Sequence, residues 1–243
     1  MARGADHDLA EAAPDIGNAL DRASDWVTEN PAAFLLIVGL ILALTGALGV
    51  ARWWGERSEL RASEAVAGAR ADFLKAMGAP PGASTFTEPA NAETARKARE
   101  EAAASFAKVA EAHRGTAGAV EAWLEAGNLR EQLGDRDAAL EAWKQAVADA
   151  PAGTALRGLA LARLATGYES KGAFAEAGAA HEEAANIASF PLRHYAMADA
   201  ARSFAAAGDR DRAVALADRV ASEAPDLDLP DHVRSRLDEL RAR

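Results

Sequence analysis

The stretch WLEAGNLREQLGDRDAALEAWKQAVADAP, residues 123–151, reads as two helices joined by one sharp turn at Leu133-Gly134-Asp135. Trp123 and Trp143 are its large residues, Gly127, Ala139 and Ala146 its small ones, and Pro151 its closing breaker. The same turn recurs in SKGAFAEAG and AAGDRDRAV, so that Gly134, Gly172 and Gly208 stand 38 and 36 residues apart. Each is followed five residues later by an alanine: Ala139, Ala177 and Ala213. Repetition at this period means helical hairpins, none able to bury its apolar face alone, stacked one on the next.

These residues resemble the tetratricopeptide repeat, a helix-turn-helix of about 34 residues with a glycine between its helices and a small residue where they cross. Residues 123–151 match it best. Leu164, Tyr168, Ala177 and Ala184 carry the second match, and Phe204, Ala213 and Pro225 the third. Arg130 stands where the pattern wants an aromatic residue, and His181 where it wants a phenylalanine. Upstream, EEAAASFAKVAEAHRG, with Ala102 and Phe106, resembles the second helix of a degenerate repeat. Its first helix would occupy residues 57–77, with the insertion APPGASTFTEPANAE between them. SEAPDLDLPDHVRSRLDELRAR supplies the polar terminal helix that a solenoid needs as a cap.

Before the repeats lies ENPAAFLLIVGLILALTGALGVARWW, residues 29–54, without a charge from Asn30 to Ala51. As a helix those 22 residues reach about 33 Å, against a hydrocarbon core of about 30 Å. Trp26 precedes the run and Trp53 and Trp54 follow it, as indoles do at a membrane interface. The start is acidic and the run exceeds the ~7 to 15 apolar residues of a cleaved signal, so a retained anchor is expected. Gly39, Ala43 and Ala47 form a small-residue stripe that a second membrane helix could approach. Ile16, Leu20, Ala23 and Val27 give the preceding segment one apolar helical face.

The expectation is therefore an all-α chain in three parts. Residues 1–29 form an acidic segment with a short amphipathic helix, residues 30–54 a single transmembrane helix, and residues 55–243 a tetratricopeptide-like α-solenoid of about three to four hairpins.

Composition narrows the chemistry. Of 243 residues, 66 are alanine and 6% aromatic, which suits closely packed helices. With no cysteine, disulfides, thiolate metal sites and cysteine nucleophiles are excluded. The net charge of -10 and the lack of any basic stretch argue against nucleic acid. His7, His113, His181, His194 and His232 are too scattered for a metal motif, and His181 beside Glu182 and Glu183 reads as a solvated helix face. No phosphate loop or nucleophile elbow is present. No catalytic residue, cofactor or small-molecule substrate is expected, and function must rest on surfaces.

The first helix of each hairpin lines the concave face of such a solenoid. Partner contacts are accordingly expected from Glu121, Asn128 and Glu131 in the first repeat, Leu159, Thr166 and Glu169 in the second, and Tyr195 and Arg202 in the third. A groove gripping a carboxylate terminus would need several basic or amide groups there, and only Asn128 and Arg202 qualify. Leu159 and Tyr195 suit a helix or an extended segment of a protein partner.

TENPAAFLLIVGLILALTGALGVARWW followed by divergent helical hairpins resembles the bacterial ancillary SecYEG translocon subunit family, the YfgM type. The resemblance implies an inner-membrane protein with a periplasmic repeat domain, partnered by SecYEG, the periplasmic chaperone PpiD and exported clients, and without enzymatic activity. The residues near the span point the other way. Arg22 is the base on one side, while Arg52, Arg57, Arg61 and Arg70 follow on the other, which taken alone puts the repeats in the cytoplasm.

Overall fold

The computed structural model describes residues 16–242, and His7 lies outside them. Every regular element among the described residues is an α-helix. Contacts separate the chain into two units that meet between Glu56 and Arg57.

The N-terminal unit holds α1 (Ile16–Glu29) and the start of α2 (Pro31–Ala76). Pro31 opens α2, where its missing N–H goes unneeded and its fixed φ suits the first helical position. The apolar part of α2 has a mean hydropathy of 2.6 over its best 18 residues, none of them buried, making it a candidate membrane span. Leu35, Leu36, Leu42 and Leu48 are among its exposed large side chains. A separate helix beginning at residue 57 is not what forms. The helix continues to Ala76 because Glu, Arg, Leu and Ala dominate after Gly55, all strong helix formers, and Arg52 pairs with Glu56 one turn on at 3.7 Å.

The second unit is a tetratricopeptide-like solenoid. Its helices are α2 from Arg57, α3 (Ala92–Ala112), α4 (Ala117–Gln132), α5 (Arg136–Asp149), α6 (Ala155–Ser170), α7 (Phe174–Ala185), α8 (Arg193–Ala207), α9 (Arg210–Glu223) and α10 (Asp231–Arg241). Each helix from α3 onward packs on the next, and α4, α6, α8 and α10 also touch in series. The hairpins are therefore α4 with α5, α6 with α7 and α8 with α9, closed by α10, while Val66 and Ala69 of α2 share a core cluster with Ala102 and Phe106 of α3.

The α4–α5, α6–α7 and α8–α9 hairpins share one turn. Gly134, Gly172 and Gly208 take left-handed φ values of 80°, 73° and 87°, which a side chain would resist. That turn lets the N–H of Asp135, Ala173 and Asp209 reach back to Arg130, Tyr168 and Phe204 carbonyls, each at 2.9 Å. Asp135 and Asp209 then cap α5 and α9, accepting from the N–H of Ala138 and Arg212. Thr116 and Thr154 do the same for α4 and α6.

Packing between helices rests on glycines facing rings. Trp143, fully buried on α5, lies over Gly127 of α4 and Gly167 of α6. A Cβ on Gly167 would sit 2.6 Å from the indole, and one on Gly127 nearer still. Phe204 covers Gly178 and Phe190 covers Gly158 in the same way. Ala62 of α2 meets Gly118 of α4 at a hypothetical Cβ separation of 2.7 Å. The proline-rich connection is held by Phe86, edge-on to Phe73 at 5.6 Å, and by Glu88, paired with Arg99 at 2.6 Å.

Gly127→Ala is expected to lower stability by about 1–3 kcal/mol through overpacking against Trp143. Gly68→Ala, on α2 with no atom near its would-be Cβ, is expected to raise it by about 0.5–1 kcal/mol. Thermal melts of the detergent-solubilised chain, followed by helical circular dichroism, separate the two.

Candidate protein-binding face

The first helices form one continuous row, and two polar links join α2 to α4 within it. The Glu59 carboxylate accepts the Ala117 N–H at 2.9 Å, capping the start of α4. Arg70 donates to Glu121 at 2.7 Å and to Glu125 at 2.8 Å.

Beside these links a cleft of about 520 Å³ opens across α2, α4 and α6. Leu60, Leu124, Leu156 and Leu159 give it an apolar surface, with Glu59, Ser63 and Glu121 at its polar margin. Among the described residues of the repeat unit, the exposed large apolar side chains are Leu60, Leu159, Leu192 and Tyr195, at 64%, 39%, 51% and 38% exposure. All four belong to first helices or to the cap of one. Leu156 and Leu159 recur 36 residues later as Leu192, the residue that precedes the neighbouring α8, and Tyr195 within it. Water-exposed leucines so arranged form a stripe along one side of the solenoid, which scattered surface apolars would not.

The residues expected from sequence do not gather in one place. Glu121 and Leu159 line the cleft, and Tyr195 extends its apolar stripe. Asn128 is half-buried in the second half of α4, and Glu131 is exposed near that helix's end. Thr166 is exposed, with its hydroxyl donating to the Ala162 carbonyl at 3.0 Å. In the other unit, Gly39, Ala43 and Ala47 lie exposed along α2. Sequence reasoning passed over Leu60, Leu124, Leu156 and Leu192. The 36-residue offset already carried the signal for Leu156 and Leu192.

Glu169 and Arg202 belong to a polar cluster tying α6, α7 and α8 together. The Glu169 carboxylate accepts from Arg202 at 2.8 Å and from the Ser203 hydroxyl at 2.6 Å. His181 is buried, not on the solvated face expected of it, and its Nε2 stands 3.7 Å from the same oxygen, a polar contact too long for a good hydrogen bond. Burial pushes the Glu169 carboxyl upward, but His181, Ser203 and Arg202 outweigh it and hold the pKa at about 2. Ser203 is fully buried and its hydroxyl serves the carboxylate, so this cluster joins repeats and presents no accessible nucleophile. Glu182 pairs with Arg212, whose guanidinium also lies 3.8 Å over the Phe204 ring. Among the described residues no group of His, Asp and Glu is placed to hold a metal ion.

Because the Glu169 pKa in the fold lies below its ordinary 4.5, the stabilisation is fully present above about pH 4.5 and fades as the pH falls toward 2. Glu169→Gln is expected to cost about 2 kcal/mol at pH 7 and to flatten that acid-side loss. Denaturant melts at pH 7 and pH 3 measure both; an unchanged slope between them would count against the cluster.

No family model and no curated protein matches the chain. Among solved structures it is similar to nearly identical TPR-like repeats of a kinesin light chain type from Podosopora anserina, at 21% identity and a TM-score of 0.48, over 60% of this chain and 80% of that one. A single-substitution variant of the same repeats gives the same values.

Proposed function

We propose that this chain is a non-enzymatic, membrane-anchored adaptor or chaperone of the bacterial inner membrane. In this reading α2 anchors it beside the Sec translocon through residues 30–54, Gly39, Ala43 and Ala47 meet a membrane helix, and periplasmic repeats hold exported proteins or the chaperone PpiD. The observation that carries the reading is the joining, in one chain, of an unburied apolar helix to a repeat unit whose unburied leucines gather on its first helices. The likeness of the span and its flanks to the YfgM-type subunits supports the choice of the translocon. Glu121, Leu159 and Tyr195 would touch the partner directly, with Asn128, Glu131 and Thr166 further along the same helices and Glu169 with Arg202 setting the spacing of the repeats.

One observation favours a second reading. Arg52, Arg57, Arg61 and Arg70 follow the span where Arg22 alone precedes it within reach, a balance typical of a cytoplasmic C-terminal side. A scaffold for a division or secretion complex would then be served by the same apolar stripe.

A reporter active only in the periplasm, fused after Arg243, is expected to be active, and the detergent-solubilised chain is expected to copurify with SecYEG. A reporter active only in the cytoplasm would eliminate the translocon reading in favour of the scaffold. Leu159→Asp with Tyr195→Asp is expected to leave SecYEG copurification intact while reducing client recovery severalfold, read by quantitative proteomics of the purified complex.

A further inference from the structure

On the opposite side of α4 from the leucine cleft, Trp123, Ala126 and Arg130 face a second cleft, of about 420 Å³, bounded by α3 and α5. Ala103 and Ala107 of α3 and Ala138 and Ala142 of α5 complete its apolar surface. It shares no lining residue with the leucine cleft.

The cleft has a cause in the repeats. The spacings of 38 and 36 residues that relate Gly134, Gly172 and Gly208 also relate Arg130, Tyr168 and Phe204, and by the same count Ala138 is equivalent to Arg212. Ala102, Ala139 and Ala177 mark one position of α3, α5 and α7, which makes Ala103 the equivalent of Gly178. In the α8–α9 hairpin these positions form a filled site: the buried Phe204 ring lies on Gly178 of α7, with the Arg212 guanidinium 3.8 Å over it. Tyr168 of α6 is packed on the core cluster that holds Leu140 and Trp143. In the α4–α5 hairpin Arg130, Ala103 and Ala138 stand in the corresponding places, and all of them line the open cleft. The chain supplies its own ring to the two later hairpins and leaves that place open in this one.

Size and electrostatics define the occupant. An apolar cavity of about 150 Å³ takes benzene. A cleft of about 420 Å³ therefore has room for an aromatic ring and the group that carries it. The Arg130 guanidinium stands 3.6 Å from Asp135, a long and half-exposed pair, so turning onto a ring face costs it little. The negative face of a ring complements that cation, as Phe204 complements Arg212. The other charges favour neither sign. Glu111 and Glu141 oppose Arg114 and Arg130 along the lining, Lys144 stands 3.8 Å from Glu141, and Gln145 bridges Arg114 and Glu141 at 3.1 and 3.0 Å.

We propose that the cleft between α3 and α5 binds an aromatic ring without net charge, seated against Ala103 and Ala138 beneath the Arg130 guanidinium. The ring comes either from a free aromatic compound or from a side chain of a bound polypeptide, and the chemistry recognised is the same. The site depends neither on the first-helix face nor on which side of the membrane holds the repeats.

The test uses the full chain in phosphatidylcholine nanodiscs and fluorine NMR of 5-fluorotryptophan, free or at the centre of a short glycine peptide, with 5-fluoroleucine as the non-aromatic control. At least one tryptophan probe is expected to broaden well beyond its signal with empty nanodiscs, and fluoroleucine is not. Arg130→Tyr, which restores the ring that the repeat pattern asks for, is expected to abolish that broadening without lowering the melting temperature. Arg130→Ala, which leaves the cleft open, is expected to keep binding but weaken it severalfold, with helical content unchanged by circular dichroism. Binding of the free probe supports the site and assigns it a small aromatic ligand, whereas binding of the peptide probe alone supports it and assigns a partner's side chain. Equal broadening of fluoroleucine, no broadening beyond empty nanodiscs, or an Arg130→Tyr chain that binds as well as the unaltered one overturns the proposal.

Discussion

Rings pressed onto glycines set the geometry of this solenoid. Trp143 occupies the space that side chains at Gly127 and Gly167 would fill, so one indole fixes the separation of α4, α5 and α6. Phe204 over Gly178 and Phe190 over Gly158 repeat the device down the stack. A flat ring against bare backbone gains many short-range contacts, and such packing tolerates little displacement. The interaxial distances that follow bring the first helices into one row, so the site depends on these contacts although none of its residues takes part in them.

The row carries two kinds of chemistry, kept apart by burial. Glu169, Ser203 and His181 lie inward, where an ionised carboxylate is stable only because donors from α8 and the imidazole of α7 surround it. Leu60, Leu159, Leu192 and Tyr195 lie outward, with no helix of the unit covering them. Burying His181 and Ser203 around a half-buried carboxylate while leaving leucines in water is the reverse of what stability alone favours. The polar cluster joins α6, α7 and α8, and the leucines are left facing solvent.

Much of the architecture was legible in the chain because its signals are local. A left-handed turn demands glycine at Gly134, Gly172 and Gly208, and an aspartate after two of them starts the next helix, so hairpin positions can be read directly. The run from Asn30 to Ala51 announces itself by length and lack of charge. The join between that run and the repeats was less legible: a separate first helix was expected over residues 57–77, but strong helix formers and the Arg52–Glu56 pair carry α2 through. Glu169 and Arg202, 33 residues apart, read as separate groove positions until the structure showed them bonded to one another.

The sequence by itself determined that this is an all-helical chain of repeated hairpins behind an apolar run long enough to cross a membrane. Periodicity, turn glycines and hydropathy act within a few residues of one another, so they survive in one dimension. Only the tertiary structure decided which polar residues neutralise each other, and that Leu60 on α2 shares a cleft with Leu156 and Leu159 on α6. Those outcomes depend on the angle and spacing at which helices 40 to 100 residues apart pack, and a ring seated on a glycine sets that angle through contacts that no local pattern encodes.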